Sequence, residues 1–256
     1  MILCVDIGNT NITLGIYDNE FIETVRLASD KELSEAQYEL LIKTITKNYK
    51  IQNCVIGSVV EELSEKIKNA CDSALGINSF LFSNSSKTGL EIALKNPKEV
   101  GADRIANAYG AKLKYKLPAI IIDIGTATTF DIVSKDGKFL GGVIMPGLNL
   151  QFKSLCTNTS KLPQINAGKS EKAIGNSTED AILSGIMRGS ACAIEGLIHQ
   201  CELELGEKAT IIATGGHSKL ISNYMFRQFD YIDANLTLEG LKCLYDLNTL
   251  AIQSTR

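Results

Sequence analysis

The chain says one phrase twice, and the repetition limits what it can fold into. Val5-Asp6-Ile7-Gly8-Asn9-Thr10-Asn11 near the start is answered by Ile122-Asp123-Ile124-Gly125-Thr126-Ala127-Thr128 near the middle of 256 residues. Each time an apolar β-branched run ends in Asp, glycine follows two residues later, and hydroxyl and amide side chains come next. A second β-branched run begins at once, Ile12 to Tyr17 in one copy and Thr129 to Val133 in the other. This reads as a β-hairpin whose tight, glycine-permitted turn presents backbone N–H groups and hydroxyls. Such a turn suits phosphate oxygens, and a strand-end Asp suits a metal ion beside them. One copy would be a weak signal. Two copies imply two homologous halves facing one nucleotide.

The repeat extends beyond the turn. Ile2–Ile7, Ile12–Tyr17 and Phe21–Leu27 read as three consecutive antiparallel strands, with a second turn at Asn19-Glu20. The pattern starts again with Ala119–Ile124, Thr128–Ser134 and Phe139–Met145, now with Asp136-Gly137 at the second turn. Between the two meanders, Ser34 reads as the N-cap of a helix carrying Tyr38, Leu41, Ile42 and Ile45 on one face. A strand at Cys54–Val59, a helix through Leu63, Ile67, Ala70 and Cys71 closed by Gly76, and a short strand at Phe80–Phe82 follow. A further helix starts at Gly101-Ala102-Asp103-Arg104 and stops before Pro118. The halves divide there, giving an N-terminal domain of residues 1–116 and a C-terminal domain of residues 117–256.

In the second half, a helix at Leu148–Cys156 leads to a polar loop holding Pro163 and Gly168. The long helix from Thr178 to about Leu205 carries Ala181, Gly185, Gly189, Ala193 and Gly196 in a stripe. Glycine costs a helix about 1 kcal/mol against alanine, so a stripe of it implies close approach of another backbone. A neighbouring helix of the same subunit is the plain expectation, and a second copy of the chain is the alternative. Thr210–Thr214 is a strand running into Gly215-Gly216, a third glycine-rich strand end. A helix at Lys219–Phe226, a strand at Tyr231–Asp233 and a helix at Leu236–Leu247 complete the chain.

Charge and composition remove several classes. A net charge of −3 leaves no basic excess to neutralise a nucleic-acid backbone, so nucleic acid is not an expected partner. No apolar stretch approaches the roughly 20 residues that span a bilayer, and no signal pattern opens the chain, so a cytoplasmic protein without membrane contact is expected. Seven cysteines with no C-x-x-C pair read as reduced, structural thiols. Two histidines, His199 and His217, do not support a zinc site.

Two phosphate-type turns and a later Gly-Gly strand end resemble the actin, sugar-kinase and Hsp70 superfamily. That resemblance implies an α/β fold of two duplicated ribonuclease H-like (actin-like) domains, mixed sheets flanked by helices, with a nucleotide cleft between them. Three more phrases sharpen it: Gly101-Ala102-Asp103-Arg104, Asp123 to Thr129 with Asp131, and Gly141-Gly142-Val-Ile-Met-Pro-Gly147. With Gly175-Asn176-Ser177-Thr178 and Asn235-Leu-Thr-Leu-Glu-Gly240, the chain resembles the type III pantothenate kinases over nearly its whole length.

The resemblance implies transfer of the ATP γ-phosphoryl group to the primary hydroxyl of pantothenate, the first step of coenzyme A synthesis. It gives Asp103 the role of orienting and deprotonating that hydroxyl. At a helix start, the dipole is expected to favour the ionised form of Asp103 and leave it a weak base. Asp6, Ile7, Gly8, Asn9, Thr10, Asn11, Ile12 and Thr13, with Thr126, are the implied ATP contacts, and Asp6 would orient Mg²⁺ directly or through water. Asp123 is the implied ligand of a monovalent cation, K⁺ or NH₄⁺. Gly101, Ala102, Asp103, Arg104 and Thr178 are the implied pantothenate contacts, with Thr178 also readable as an ordinary helix cap. The family's substrate-contacting tyrosine, seven residues before Gly101, is here Leu94, which removes an aromatic face and a hydroxyl from that pocket. A homodimer is implied as well. The alternative is a non-catalytic regulatory relative of the same fold; it would have lost Asp6, Asp103 or Asp123, and all three are present.

Overall fold

A computed structural model describes residues 1–83, 85–157 and 165–253. The expected loop residue Pro163 lies outside them. The chain forms two compact units. One comprises residues 1–91, 95–113 and 235–256; the other comprises residues 92–94 and 114–234.

The first unit is built on a mixed sheet. Strands β1 (Ile2–Ile7), β2 (Asn11–Asp18) and β3 (Glu20–Ala28) form the antiparallel meander, and β4 (Asn53–Ser58) and β5 (Phe80–Leu81) add in parallel, giving the order β3-β2-β1-β4-β5. Helix α1 (Glu35–Thr46) connects β3 to β4, and α2 (Glu61–Leu75) connects β4 to β5. Ser34 caps α1 in a full capping box with Gln37, and α1 buries Tyr38 and Ile42. Their core partners include Leu3, Val5, Ile7, Leu14, Ile56, Leu63 and Ile67. Gly76 ends α2 in the left-handed region at φ 68°.

Two further helices complete this unit, and they come from distant parts of the chain. Helix α3 (Ala102–Lys114) crosses α7 (Leu236–Gln253) where Gly110 meets Gly240. A side chain on Gly240 would run into the Ala106 backbone, so the absence of a Cβ permits the crossing. The Thr237 hydroxyl donates to Oδ1 of buried Asn107 at 2.8 Å, fixing the register of the pair. Helix α7 runs to Gln253 rather than stopping at Leu247; Asn248 exchanges two hydrogen bonds with the Lys87 backbone, at 2.8 and 3.0 Å, and holds the extra turns.

The second unit repeats the topology. Strands β6 (Ala119–Ile124), β7 (Ala127–Val133), β8 (Phe139–Pro146), β9 (Thr210–Thr214) and β10 (Tyr231–Ile232) stand in the order β10-β9-β6-β7-β8. Read from the meander edge, this is the order of the first sheet. The duplication reaches to a defect: each third strand carries one unpaired extra residue, Ile22 between the Tyr17–Phe21 and Ile16–Glu23 pairs, and Leu140 between the Val133–Phe139 and Ile132–Gly141 pairs. Helices α4 (Leu148–Thr157) and α5 (Thr178–Leu205) lie between β8 and β9, and α6 (Ser218–Ser222) follows β9. The core joins Ile120, Ile122, Phe130, Ile211 and Ala213 of the sheet to Phe152 of α4 and Ile186, Ile194 and Ile198 of α5.

Three expectations are corrected here. Helix α5 is long and apolar enough to cross a membrane by length and composition. A search for unbroken apolar runs overlooks it, because Arg188 and Glu195 interrupt the pattern, and its apolar face packs on the sheet. Among the described residues, the glycine stripe of α5 does not receive a neighbouring helix of the same chain: a Cβ at Gly185, Gly189 or Gly196 would meet none of their atoms within 4 Å. Helix α6 stops at Ser222 instead of Phe226, because tertiary bonds claim the following residues: the Tyr224 hydroxyl accepts from Ser170 N–H at 2.6 Å and Arg227 N–H donates to Glu195 at 2.6 Å.

Candidate active site

In the first unit, Asp6 is the next-to-last residue of β1, paired with Thr13 across the hairpin and with Gly57 on the parallel side. It is half-buried. Beyond it the sequence alternates between core and solvent. Ile7 and Ile12 are 0% and 1% exposed and belong to the core, so only their backbones are available to a ligand. Asn9, Thr10 and Asn11 stand exposed, with Gly8 and Thr13 partly covered. The turn closes through a 3.0 Å bond from Gly8 N–H to Asn11 O. Neither Gly8 nor Gly125 takes a positive φ, contrary to the glycine-permitted turn expected. At Gly8 the reason is crowding, since a Cβ there would lie 3.2 Å from Asn11 O.

Asp103 lies in the first turn of α3, also half-buried. Burial pushes its carboxyl above the ordinary carboxylate range, against the hydrogen bond that Arg104 N–H donates to Oδ1 at 2.7 Å and against the Arg104 charge. The expected depression by the helix dipole is therefore reversed, because desolvation outweighs it. Gly101 leaves room for this carboxylate: a Cβ at Gly101 would sit 2.6 Å from Oδ1 of Asp103. Ala102 is buried and Arg104 partly so.

One residue links the β1 turn to the start of α3. Val59 N–H donates to Ile7 O at 3.0 Å, and Val59 Cγ1 lies 3.1 Å from where a Gly101 Cβ would stand. The strand end that carries Asp6 and the helix start that carries Asp103 are thus neighbours within one unit. Val59 was not singled out in the sequence, where it reads only as the last residue of a strand.

In the second unit, Asp123 is half-buried at the end of β6, paired with Thr129 on one side and Thr214 on the other. The turn is one residue shorter than its counterpart, since Ile124 pairs with Thr128 where Ile7 pairs with Ile12. Gly125 N–H bonds Ala127 O at 3.0 Å, and Gly147 N–H bonds Thr126 O at 3.1 Å. Thr126 is exposed; Thr128 is 2% exposed. The third glycine strand end docks on this turn. Gly215, at φ 85°, stands where a Cβ would strike the Asp123 carboxylate and the Ile124 backbone, and His217 N–H donates to Ile124 O at 3.1 Å.

Two expected substrate contacts lie in this unit. Leu94 packs its side chain against Gly141, whose φ is 111°, next to an Ala93 N–H bond to Phe139 O of 2.9 Å. Thr178 is the first residue of α5 and is exposed; the N-cap is Ser177, which accepts from Asp180 N–H at 3.1 Å. The cap reading of Thr178 therefore falls. Ahead of α5 is a polar hollow of about 350 Å³ lined by residues that include Lys169, Lys172, Gly175, Asn176 and Asp180. Among the described residues no group of three or more His, Cys, Asp or Glu side chains gathers into a metal cage. A divalent ion would here need one carboxylate supplemented by phosphate oxygens and water.

Known proteins are similar to this chain in sequence and in fold. A protein from Exiguobacterium sibiricum described as a type III pantothenate kinase is 38% identical over 254 residues, covering 97% of this chain and 100% of that one. Among solved structures, one described as a Baf family transcriptional activator from Campylobacter jejuni is 23% identical, with a TM-score of 0.64 over 96% of this chain and 98% of that one. An inorganic polyphosphate/ATP-glucomannokinase from Arthrobacter superimposes with a TM-score of 0.51 at 14% identity, over 96% of this chain and 98% of that one. At such identities the structures speak for the fold alone, and the fold is that of duplicated, actin-like ribonuclease H domains. The family model described as type III pantothenate kinase matches residues 2–200. The chain belongs to the type III pantothenate kinase family.

Proposed function

We propose that this chain transfers the γ-phosphoryl group of ATP to the primary hydroxyl of pantothenate, giving 4′-phosphopantothenate. The observation that carries the proposal is Asp103, in the family's phrase and with a carboxyl pushed up by burial beside the β1 turn. Phosphoryl transfer asks a protein for positioning and charge neutralisation more than for strong bases. A raised carboxyl nonetheless accepts a proton more readily than an ordinary Asp. Asp103 orients the acceptor hydroxyl and takes its proton, and Arg104 offers a planar donor fork to an anionic group.

Asp6 and the exposed Asn9, Thr10 and Asn11 serve the phosphates of Mg²⁺-ATP, Thr126 gives a second phosphate contact, and Asp123 holds K⁺ or NH₄⁺. The metal ion supplies charge neutralisation at the transferring phosphoryl group. Thr178 contacts pantothenate. Free thiols at all seven cysteines support a cytoplasmic setting. The open glycine face of α5 supports a homodimer formed across it.

A coupled assay of ATP consumption, with pantothenate present and absent and with K⁺ exchanged for Na⁺, tests the reading. Pantothenate-dependent consumption that falls in Na⁺ is the expected result. Consumption independent of pantothenate points to a phosphatase. No consumption points to the non-catalytic alternative, and indifference to the cation removes Asp123 from its role.

A further inference from the structure

Ser29 follows β3 directly and continues its ladder by one step beyond the Asn11–Ala28 pair. Its N–H donates to Thr10 O at 3.0 Å and its hydroxyl donates to Gly8 O at 2.6 Å. The two carbonyls flanking Asn9 are therefore both tied to one residue. In a planar trans peptide the carbonyl of one residue and the N–H of the next point in opposite directions. Fixing Gly8 O and Thr10 O toward Ser29 thus aims the Asn9 and Asn11 N–H groups away from it.

Ser29 is itself anchored. The next residue, Asp30, donates its N–H to the Tyr38 hydroxyl at 3.1 Å and accepts from that hydroxyl at 2.7 Å. Tyr38 is 1% exposed, held in the core by the capped helix α1. A rigid line runs from the core through Asp30 and Ser29 to the turn. The second unit solves the same problem differently. Gly147 occupies the equivalent place after β8 and makes the equivalent N–H bond to Thr126 O, but a side chain there would collide with Gly125 O and Thr126 O. Gly147 carries no hydroxyl and so cannot tether its turn as Ser29 does.

We propose that Ser29 is a positioning residue for nucleotide binding, setting the two turn N–H groups that meet the ATP phosphates. This rests on the kinase reading for the identity of the ligand. The readout is therefore equilibrium binding rather than turnover: calorimetric titration of the full chain with Mg²⁺ and a non-hydrolysable ATP analogue, for the unaltered protein, Ser29→Ala and Ser29→Thr, each with a thermal melt.

Loss of one hydrogen bond that organises the turn should weaken analogue binding about five- to tenfold in Ser29→Ala. Ser29→Thr, which keeps the hydroxyl, should stay within about threefold of the unaltered protein. Unchanged affinity in Ser29→Ala would overturn the proposal. So would a loss that Ser29→Thr does not rescue, or one that only tracks a lowered melting temperature. If the unaltered protein binds the analogue but pantothenate elicits no turnover, the kinase reading fails while the Ser29 comparison still stands.

Discussion

Asp103 Oδ1 lies 2.6 Å from the point where Gly101 would carry its Cβ, so the carboxylate occupies the space that glycine leaves open. The two residues form one device, in which the missing side chain of one sets the position of the other. A methyl at Gly101 would meet the mobile end of a side chain rather than backbone. Gly101→Ala should therefore cost little stability, within about 1 kcal/mol, while displacing the carboxylate. Turnover should fall at least about tenfold, with ATP affinity preserved. Steady-state kinetics beside a denaturant titration check both halves.

Asp103 also opposes stability to function. Burial raises its carboxyl, so the folded state favours the protonated form. That contribution is fully present below the ordinary carboxylate pKa of about 3.9 and is lost as pH rises through the raised folded value. At neutral pH the ionised group therefore costs stability. Asp103→Asn should abolish turnover while ATP and pantothenate still bind, and should raise the melting temperature at pH 7 but not at pH 3. A melting temperature lowered at pH 7 would contradict the burial argument.

Glu202 presents the opposite sign. It is 5% exposed, and burial alone would raise its carboxyl. The Arg227 fork at 2.8 and 2.8 Å, Lys208 at 2.7 Å and Ala209 N–H at 3.2 Å outweigh that and hold it at about 2. Its stabilisation is present above the unfolded value of about 4.3 and fades as pH falls from there toward about 2. Glu202→Gln should cost about 2 kcal/mol at pH 7 and progressively less in acid. Urea unfolding across that pH range measures the difference.

The α5 face offers a physical test of assembly. Among the described residues nothing lies within 4 Å of a Cβ at Gly185, Gly189 or Gly196, and Cys192 stands exposed on the same side of the helix. A homodimer across this face should give a Cys192–Cys192 species with a short bismaleimide, absent in Cys192→Ser. Gly189→Glu should shift the molecular mass by light scattering from two copies to one.

The meanders were legible because their information is local. Alternating β-branched runs, Asn19-Glu20 and Asp136-Gly137 turns and the Ser34 N-cap each act over a few residues, and the strands formed within a residue or two of expectation. Ser29, Val59 and Gly240 were not legible, because each acts on a partner distant in sequence: Gly8, Ile7 with Gly101, and Ala106. The glycine stripe shows the same boundary from the other side. Composition suggested a face of α5 for close contact, yet among the described residues nothing lies within 4 Å of a Cβ at Gly185, Gly189 or Gly196. The sign of the Asp103 shift was misjudged for a related reason, since the helix dipole can be read from the sequence and desolvation cannot.

The crossing of α3 and α7 has a consequence for biosynthesis. The helix that wedges against Asp103's own helix, and packs its Leu241 beside Gly57 of the β1-bearing sheet, comes after every strand of both sheets in the chain. A nascent chain can finish every strand of both sheets and still lack the helix that packs against the one carrying Asp103.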